Sequence, residues 1–308
     1  MLTVSRGRAI GGYLRPRAAR ARDALKRAAT KTARRMGLGY YIALDYPPSA
    51  RPAGRTRTQG PLHDIVAGAD EAYRGTLRTI ASFESDLVRI PRTADDDRTP
   101  SWLNEFIPGL DAASIYSFLR SRQPATYLEV GSGISTRFAR RAIEDGKLET
   151  RIVSIDPSPR AEIDALCDEV IRQPLELVDP DQLPALRDKD VLFFDGSHRA
   201  FTGSDATVFF CDWLPSLPGG VLVGVHDIFL PDDYPEPFVE RHYSEQYLLA
   251  ALLVGRPEWI DLVLAADYVS KRPELADELS ALWARPELSG IPTQGGGFWF
   301  QLGERSWA

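Results

Sequence analysis

Apolar positions change rhythm once along this chain, near residue 125. Before that point the spacing is helical. Leu62, Ile65, Val66, Tyr73, Leu77, Ile80, Phe83 and Leu87 recur every three or four residues, which predicts a helix over Pro61–Ile90 with prolines suited to its start and stop. A polar, acidic loop spans Thr93–Pro100, and a second helix is predicted over Asp111–Gln123 with Ile115, Tyr116, Phe118 and Leu119 inward. After Ala125, short apolar runs alternate with helical segments. Strands are predicted at Tyr127–Val130, Arg151–Asp156, within Ile171–Val178, at Asp190–Asp195, Val221–Val225, within Ile260–Val269 and at Gly297–Leu302. Helices are predicted at Ser135–Ile143, Arg160–Val170, Ser204–Leu217 and Glu245–Leu253. Continuous apolar strands separated by helices mean a parallel sheet buried on both faces, with right-handed crossovers.

The first of these strands runs into Glu129-Val130-Gly131-Ser132-Gly133, with a helix starting near Ser135. Glycine suits such a turn because the chain reverses sharply and a ligand must approach the backbone at a helix N-terminus. The second strand ends in Asp156, where an acid would bind ribose hydroxyls. Both a dinucleotide and S-adenosylmethionine fit this outline. Two details favour the latter: Thr136 stands where a dinucleotide site has its third glycine, and Glu129 suits a cationic sulfonium, directly or through water. Ser132, Ser135 and Thr136 are candidates to hold the cofactor carboxylate, and Asp179 or Asp181 to reach the adenine. Ser135 would otherwise only cap its helix.

From about Trp102 onward the sequence resembles a bacterial group of class I methyltransferases within the small-molecule methyltransferase superfamily. The stretches that carry the resemblance are Tyr127–Thr136, Ile155–Arg160, the Asp-Gly-Ser-His run Asp195–His198, the run His226–Pro231, Glu245–Tyr247 and Gly297–Trp299. It implies an α/β, Rossmann-like fold: a seven-stranded, mostly parallel sheet whose last strand is inserted antiparallel, with helices on both faces and an N-terminal helical extension. It also implies methyl transfer from S-adenosylmethionine. Asp195 and His226-Asp227, at the ends of the fourth and fifth strands, resemble the positions where metal-dependent O-methyltransferases keep ligands for Mg²⁺. Carboxylate oxygens suit a hard divalent ion. In that group a catalytic lysine follows the first ligand by three residues, where this chain has His198, able to take up a hydroxyl proton near neutral pH. The expected catalytic residues are therefore His198, His226 and Asp195, and the expected metal ligands Asp195, His226 and Asp227, with histidine admitting Mn²⁺, Fe²⁺ or Zn²⁺ beside Mg²⁺. The bland alternative is that Asp195 caps a turn and the histidines bond each other or Asp227.

Composition changes this picture at one end. The 308 residues are 44% hydrophobic and 26% charged, ordinary for a globular protein, and no apolar run is long enough to span a membrane. Residues 1–35 hold eleven Lys or Arg and a single acid, Asp23, so this arm carries +10 while the whole chain carries −6. The organisation expected is a basic arm over 1–36, a helical lid and substrate region over 37–120, and the methyltransferase core over 121–308. The arm is expected to be solvated, or to touch a membrane surface weakly. A nucleic-acid methyltransferase that uses the arm on phosphates, and a non-catalytic cofactor-binding protein recruited by it, are the rival readings. Against the first, the fourth strand ends in Asp-Gly-Ser-His and the body is acidic. Cys167 and Cys211 fall in no metal or redox pair and are expected as buried helical thiols in a reducing compartment. The expectation is a cytoplasmic or peripheral enzyme acting on a small hydroxylated acceptor such as a sugar or secondary metabolite, free to form homo-oligomers.

Overall fold

The computed structural model describes residues 54–159 and 162–303, with residues 25, 28, 31–33, 35 and 36 of the basic arm. The remainder of the arm, the linker to residue 53 and Arg160 lie outside the described residues. Residues 52–308 form one compact unit. Among the described residues no helix is long and apolar enough to cross a membrane.

Seven strands form one sheet: β1 Thr126–Val130, β2 Arg151–Ile155, β3 Glu169–Ile171, β4 Val191–Phe194, β5 Leu222–Val225, β6 Ile260–Ala265 and β7 Phe298–Leu302. Their order is β3-β2-β1-β4-β5-β7-β6. The first five pair in parallel, and β7 lies antiparallel between β5 and β6. β1, β4 and β5 are buried along their whole length, as strands covered on both faces must be. Close contact fixes the β5–β7 seam, since a Cβ at Gly224 would sit 2.5 Å from the Trp299 ring.

Register places the site. Val130 pairs with both Ile155 and Phe194, and Phe194 with Val225, so β1, β2, β4 and β5 end level. The ladder then continues one residue further. Gly131 N donates to Ile155 O, Asp195 N to Val130 O and His226 N to Phe194 O. Gly131, Asp156, Asp195 and His226 therefore emerge side by side, at the point between β1 and β4 where strand order reverses. That crevice is where open α/β sheets bind ligands.

The helices match the expectations in part. α4 Gly109–Arg122 is buried from Gly109 to Leu119, and α5 Ile134–Gly146 follows the Gly-rich turn. The long helix expected over 61–90 is instead α1 Pro61–Ala67, α2 Asp70–Ala81 and α3 Glu84–Leu87. Its apolar stripe survives both breaks, with Leu62, Val66, Tyr73, Leu77, Ile80 and Leu87 all buried. The helix expected over 160–170 is absent from the described part of that span. A 3-10 turn at Asp164–Leu166 leads straight into β3, because Asp168 binds the β2 edge through its own N–H and through its carboxylate on Ile152 N. The helix expected over 204–217 begins as α6 Asp205–Val208 and widens into a π turn, Phe209–Trp213, before α7 Leu214–Ser216. Cys211 is exposed on that turn, contrary to the buried thiol expected, and Cys167 is half-buried after the 3-10 turn; both are free.

Candidate active site

A cavity of about 1230 Å³ opens over the level strand ends, larger than the roughly 300–1,000 Å³ of most single-ligand pockets. It has room for two ligands side by side. Gly131, Ser132, Gly133, Ile134 and Ser135 line it on one side with Asp156, Pro157 and Ser158; Asp195–Arg199, His226 and Asp227 line it on the other. A separate groove of about 320 Å³ near Arg57, Leu62 and Tyr247 holds none of the strand-end residues.

The Gly-rich turn is shaped by close approach. Gly131 has φ 79°, and a Cβ there would run into the carbonyl oxygen of Asp195. Ser132 donates to Asp156 Oδ2 through its backbone N at 2.9 Å and its Oγ at 3.3 Å. Ser158 N donates to Asp156 Oδ1, so the carboxylate is oriented while still facing the cavity. Glu129 and Thr136 are elsewhere. Glu129 is fully buried behind the turn, accepting from Tyr127 Oη at 2.9 Å and from Thr136 Oγ1, which itself accepts from Gly133 N. Burial pushes its carboxyl up to about 7, against the pull of its hydroxyl donors. These two residues brace the turn from inside rather than line the cavity. Asp179 does not line it either: it accepts from Asp181 N in its own turn, and Leu175 and Glu176 occupy that wall.

The opposite wall is a network of titratable groups, with His198, His226, Glu245 and Asp111 buried and Asp195 and Asp227 half-buried at the cavity face. His198 Nε2 lies 3.3 Å from Asp195 Oδ1 and 3.6 Å from Asp227 Oδ2, while its Nδ1 meets Glu245 Oε1 at 2.6 Å. His226 Nδ1 lies 3.5 Å from Asp195 Oδ1 and 3.6 Å from Asp227 Oδ1, while its Nε2 meets Asp111 Oδ2 at 3.1 Å. Asp111 is locked in turn by Gly296 N and Gly297 N. His198 and Asp227 hold left-handed backbone, φ 62° and 57°, uncommon outside glycine and typical of strained functional positions.

The charges act on one another strongly. Burial alone would lower both histidines, but Glu245 and Asp195 hold His198 well above its ordinary pKa, and Asp195, Asp227 and Asp111 do the same for His226. Burial opposes ionisation of Asp195, and the two imidazoles overcome it, holding that carboxyl far below the carboxylate range. Asp227 is raised, burial prevailing over the histidines. Glu245 is pushed up to about 7 by burial, and its Oε2 is buried without a hydrogen-bond partner.

Donor geometry also suits a divalent cation. Asp195, His198 and Asp227 each present a ligand atom, all within 4.8 Å of one another. His198 takes the place expected for His226 in that set. The side chain of Asp195 faces the two imidazoles rather than capping a turn; the histidines do not bond each other, but both lie 3.6 Å from Asp227, the other partner expected for them. Sequence reasoning overlooked Asp111 as a partner. The one acid on a helix buried from Gly109 to Leu119 was the signal available. It also passed over Tyr243, stacked on His198 with ring centroids 4.3 Å apart, and Arg199, whose guanidinium lies over Tyr243. From the expected lid region, Asp97 and Glu105–Ile107 reach the cavity, on a loop pinned by Asn104. Trp102 packs in the core.

Residues 128–228 match the family model described as a methyltransferase domain. No curated protein matches the chain. Among solved structures it is similar to the SAH-bound methyltransferase PaMTH1 of Podospora anserina, at 16% identity over 82% of this chain and 100% of that one, with a TM-score of 0.40. It is also similar to the O-methyltransferase TomG of Streptomyces achromogenes, solved with SAM, at 16% identity over 78% and 96% with a TM-score of 0.35. An O-methyltransferase of Bacillus cereus with SAH gives 14% identity over 75% and 91%, and a TM-score of 0.34. Likeness at that level says nothing about substrate. The match covers the stretch from β1 to just past β5, and the sheet has the order of the Rossmann-like methyltransferase fold.

Proposed function

We propose that this methyltransferase domain takes its methyl group from S-adenosylmethionine and delivers it to an oxygen of a small hydroxylated molecule, with a divalent cation as assistant. The observation that carries the reading is the pairing of walls: a Gly-rich turn with an oriented Asp156 faces a buried acid–histidine network across one cavity. Asp156 receives the ribose hydroxyls, and the turn's backbone receives the rest of the cofactor. The wall around Asp97, Glu105, Glu176 and Asp205 is acidic, which favours a small acceptor over a polyphosphate chain.

The donor set fits a hard or borderline divalent ion, with two carboxylates and one imidazole nitrogen at one focus. Asp195, His198 Nε2 and Asp227 would hold it, and it would lower the pKa of the acceptor hydroxyl and fix its direction. Glu245 orients the His198 ring from behind by accepting Nδ1–H. Methyl transfer from a sulfonium releases one proton per turnover, and His226 is the group placed to take it. The neighbouring carboxylates favour the imidazolium, so the ring first releases a proton to solvent; Nδ1, turned toward Asp195 and Asp227, then takes the acceptor's proton while Nε2–H stays on Asp111.

Isothermal titration tests this directly, with S-adenosylhomocysteine and NADH as ligands and with Mg²⁺ or Mn²⁺ restored after chelation. Micromolar binding of the adenosyl ligand together with a separate cation heat is the expected result. Binding of NADH in place of the adenosyl ligand would overturn the cofactor assignment. Absence of any cation heat would remove the metal from the mechanism.

A further inference from the structure

Arg137 is the fourth residue of α5, just beyond the Gly-rich turn, and it lines the same cavity as Gly133, Ile134 and Ser135. Its side chain is only 10% exposed. A guanidinium so far out of water needs a good counter-charge, because burial of an unpaired ion is costly. The partner it has is poor. Among the described residues its ion pair is to Asp97 Oδ1 at 3.4 Å, well beyond the roughly 2.7–2.9 Å of a charge-assisted bond, and that carboxylate is 72% exposed. Arg137 Nε is buried with no hydrogen-bond partner. Two neighbours on the same helix do better: Arg140 and Arg141 meet carboxylates at 2.7 and 2.8 Å. Asp96 adds only a weaker attraction at longer range, its oxygens being committed to Arg98 N, Thr99 N and Thr99 Oγ1.

We propose that Arg137 and Asp97 form a subsite for the amino-acid end of the cofactor, Arg137 taking the α-carboxylate and Asp97 the α-ammonium. This rests on the S-adenosylmethionine reading of the cavity. The long Arg137–Asp97 pair opens and is exchanged for two pairs with the zwitterion, so no charge is left bare in either state. The carboxylate is then read by a side chain beyond the serines of the turn, and the site discriminates against adenosyl compounds that lack that end. A nicotinamide dinucleotide offers no such zwitterion.

The test compares three probes by titration calorimetry: S-adenosylhomocysteine, its decarboxylated analogue that keeps the amine, and 5′-methylthioadenosine, which lacks both groups. The wild-type protein should bind S-adenosylhomocysteine at least about tenfold more tightly than the decarboxylated analogue. Arg137→Met should shrink that ratio to about threefold or less, and Arg137→Lys should restore part of it. The methylthioadenosine affinity should stay the same in both variants, which also reports that they fold. Asp97→Asn should weaken the decarboxylated analogue relative to methylthioadenosine. A wild-type ratio persisting in Arg137→Met overturns the subsite and leaves the cofactor reading intact, including the case where that variant only raises the acceptor KM. If no adenosyl probe binds the folded wild-type protein, the cofactor reading falls and the subsite with it.

Discussion

The two walls of the cavity are made of different materials. On the β1–β2 side the backbone does most of the positioning: Gly131 supplies a left-handed turn, and Ser132 reaches Asp156 only 24 residues away. On the β4–β5 side buried side chains do it, and their partners come from far along the chain. His198 leans on Glu245, 47 residues on, and His226 on Asp111, 115 residues back. The left-handed positions differ in the same sense. Gly131 adopts its conformation without steric cost, whereas His198 and Asp227 do so against it and are held by the network around them. One wall is a local shape; the other is a set of tertiary constraints.

Gly131 is where the walls touch, so a methyl group there should give the largest effect. Gly131→Ala drives a Cβ into the Asp195 carbonyl and demands a positive φ of alanine. The expected loss is about 3 kcal/mol or more in stability, with cofactor and cation binding lost together. Chemical denaturation with calorimetry checks it. A stable Gly131→Ala protein that keeps either ligand would mean the walls are less coupled than their contact implies.

Two further substitutions should separate the walls. Asp195→Ala removes the carboxylate shared by both histidines, and kcat should fall by roughly 10²–10⁴ while the affinity for S-adenosylhomocysteine changes by about threefold or less. Asp156→Ala is the mirror image. It should weaken S-adenosylhomocysteine by roughly 10–100-fold, the worth of hydrogen bonds to a charged group, and leave the cation heat in place. Calorimetry of the two variants side by side decides. If either substitution abolishes both heats, the division into walls is wrong.

The difference in materials also explains what the sequence revealed. The Gly-rich turn, Asp156 and the acids and histidines after β4 and β5 were legible because each sits immediately beyond a recognisable apolar strand, and level register then gathers them. Asp111 was not, since nothing local on α4 marks the direction its side chain takes; only the sheet brings it to His226. The proposed cation ligands were half legible for the same reason. Positions 195, 198, 226 and 227 were all visible, but which imidazole faces the carboxylate focus depends on Glu245 and Asp111 turning the rings. The helix expected at 160–170 failed where Asp168 found a stronger partner in the β2 backbone than a helix would offer. Glu129 reads in the sequence as a residue facing the cofactor, yet its register on β1 turns it inward.

That inward position makes a last, smaller prediction about the backbone wall. Glu129 is fully buried and its carboxyl is pushed up to about 7, whereas in the unfolded chain it titrates near 4.3, about the ordinary value. Between those two values the folded state binds the extra proton. The stabilisation from the neutral carboxyl is therefore complete below about pH 4.3 and lost as pH rises through about 7. Glu129→Gln keeps a neutral amide against Tyr127 and Thr136 and should abolish that part of the slope. Between pH 5 and 8 the wild-type protein should lose on the order of 2–3 kcal/mol more stability than the variant. Glu245, raised in the same direction by its own burial, keeps some slope in both proteins. Denaturant melts across that range measure the difference. Parallel curves for the two proteins would show that Glu129 is ionised throughout, and that the turn is braced by a carboxylate after all.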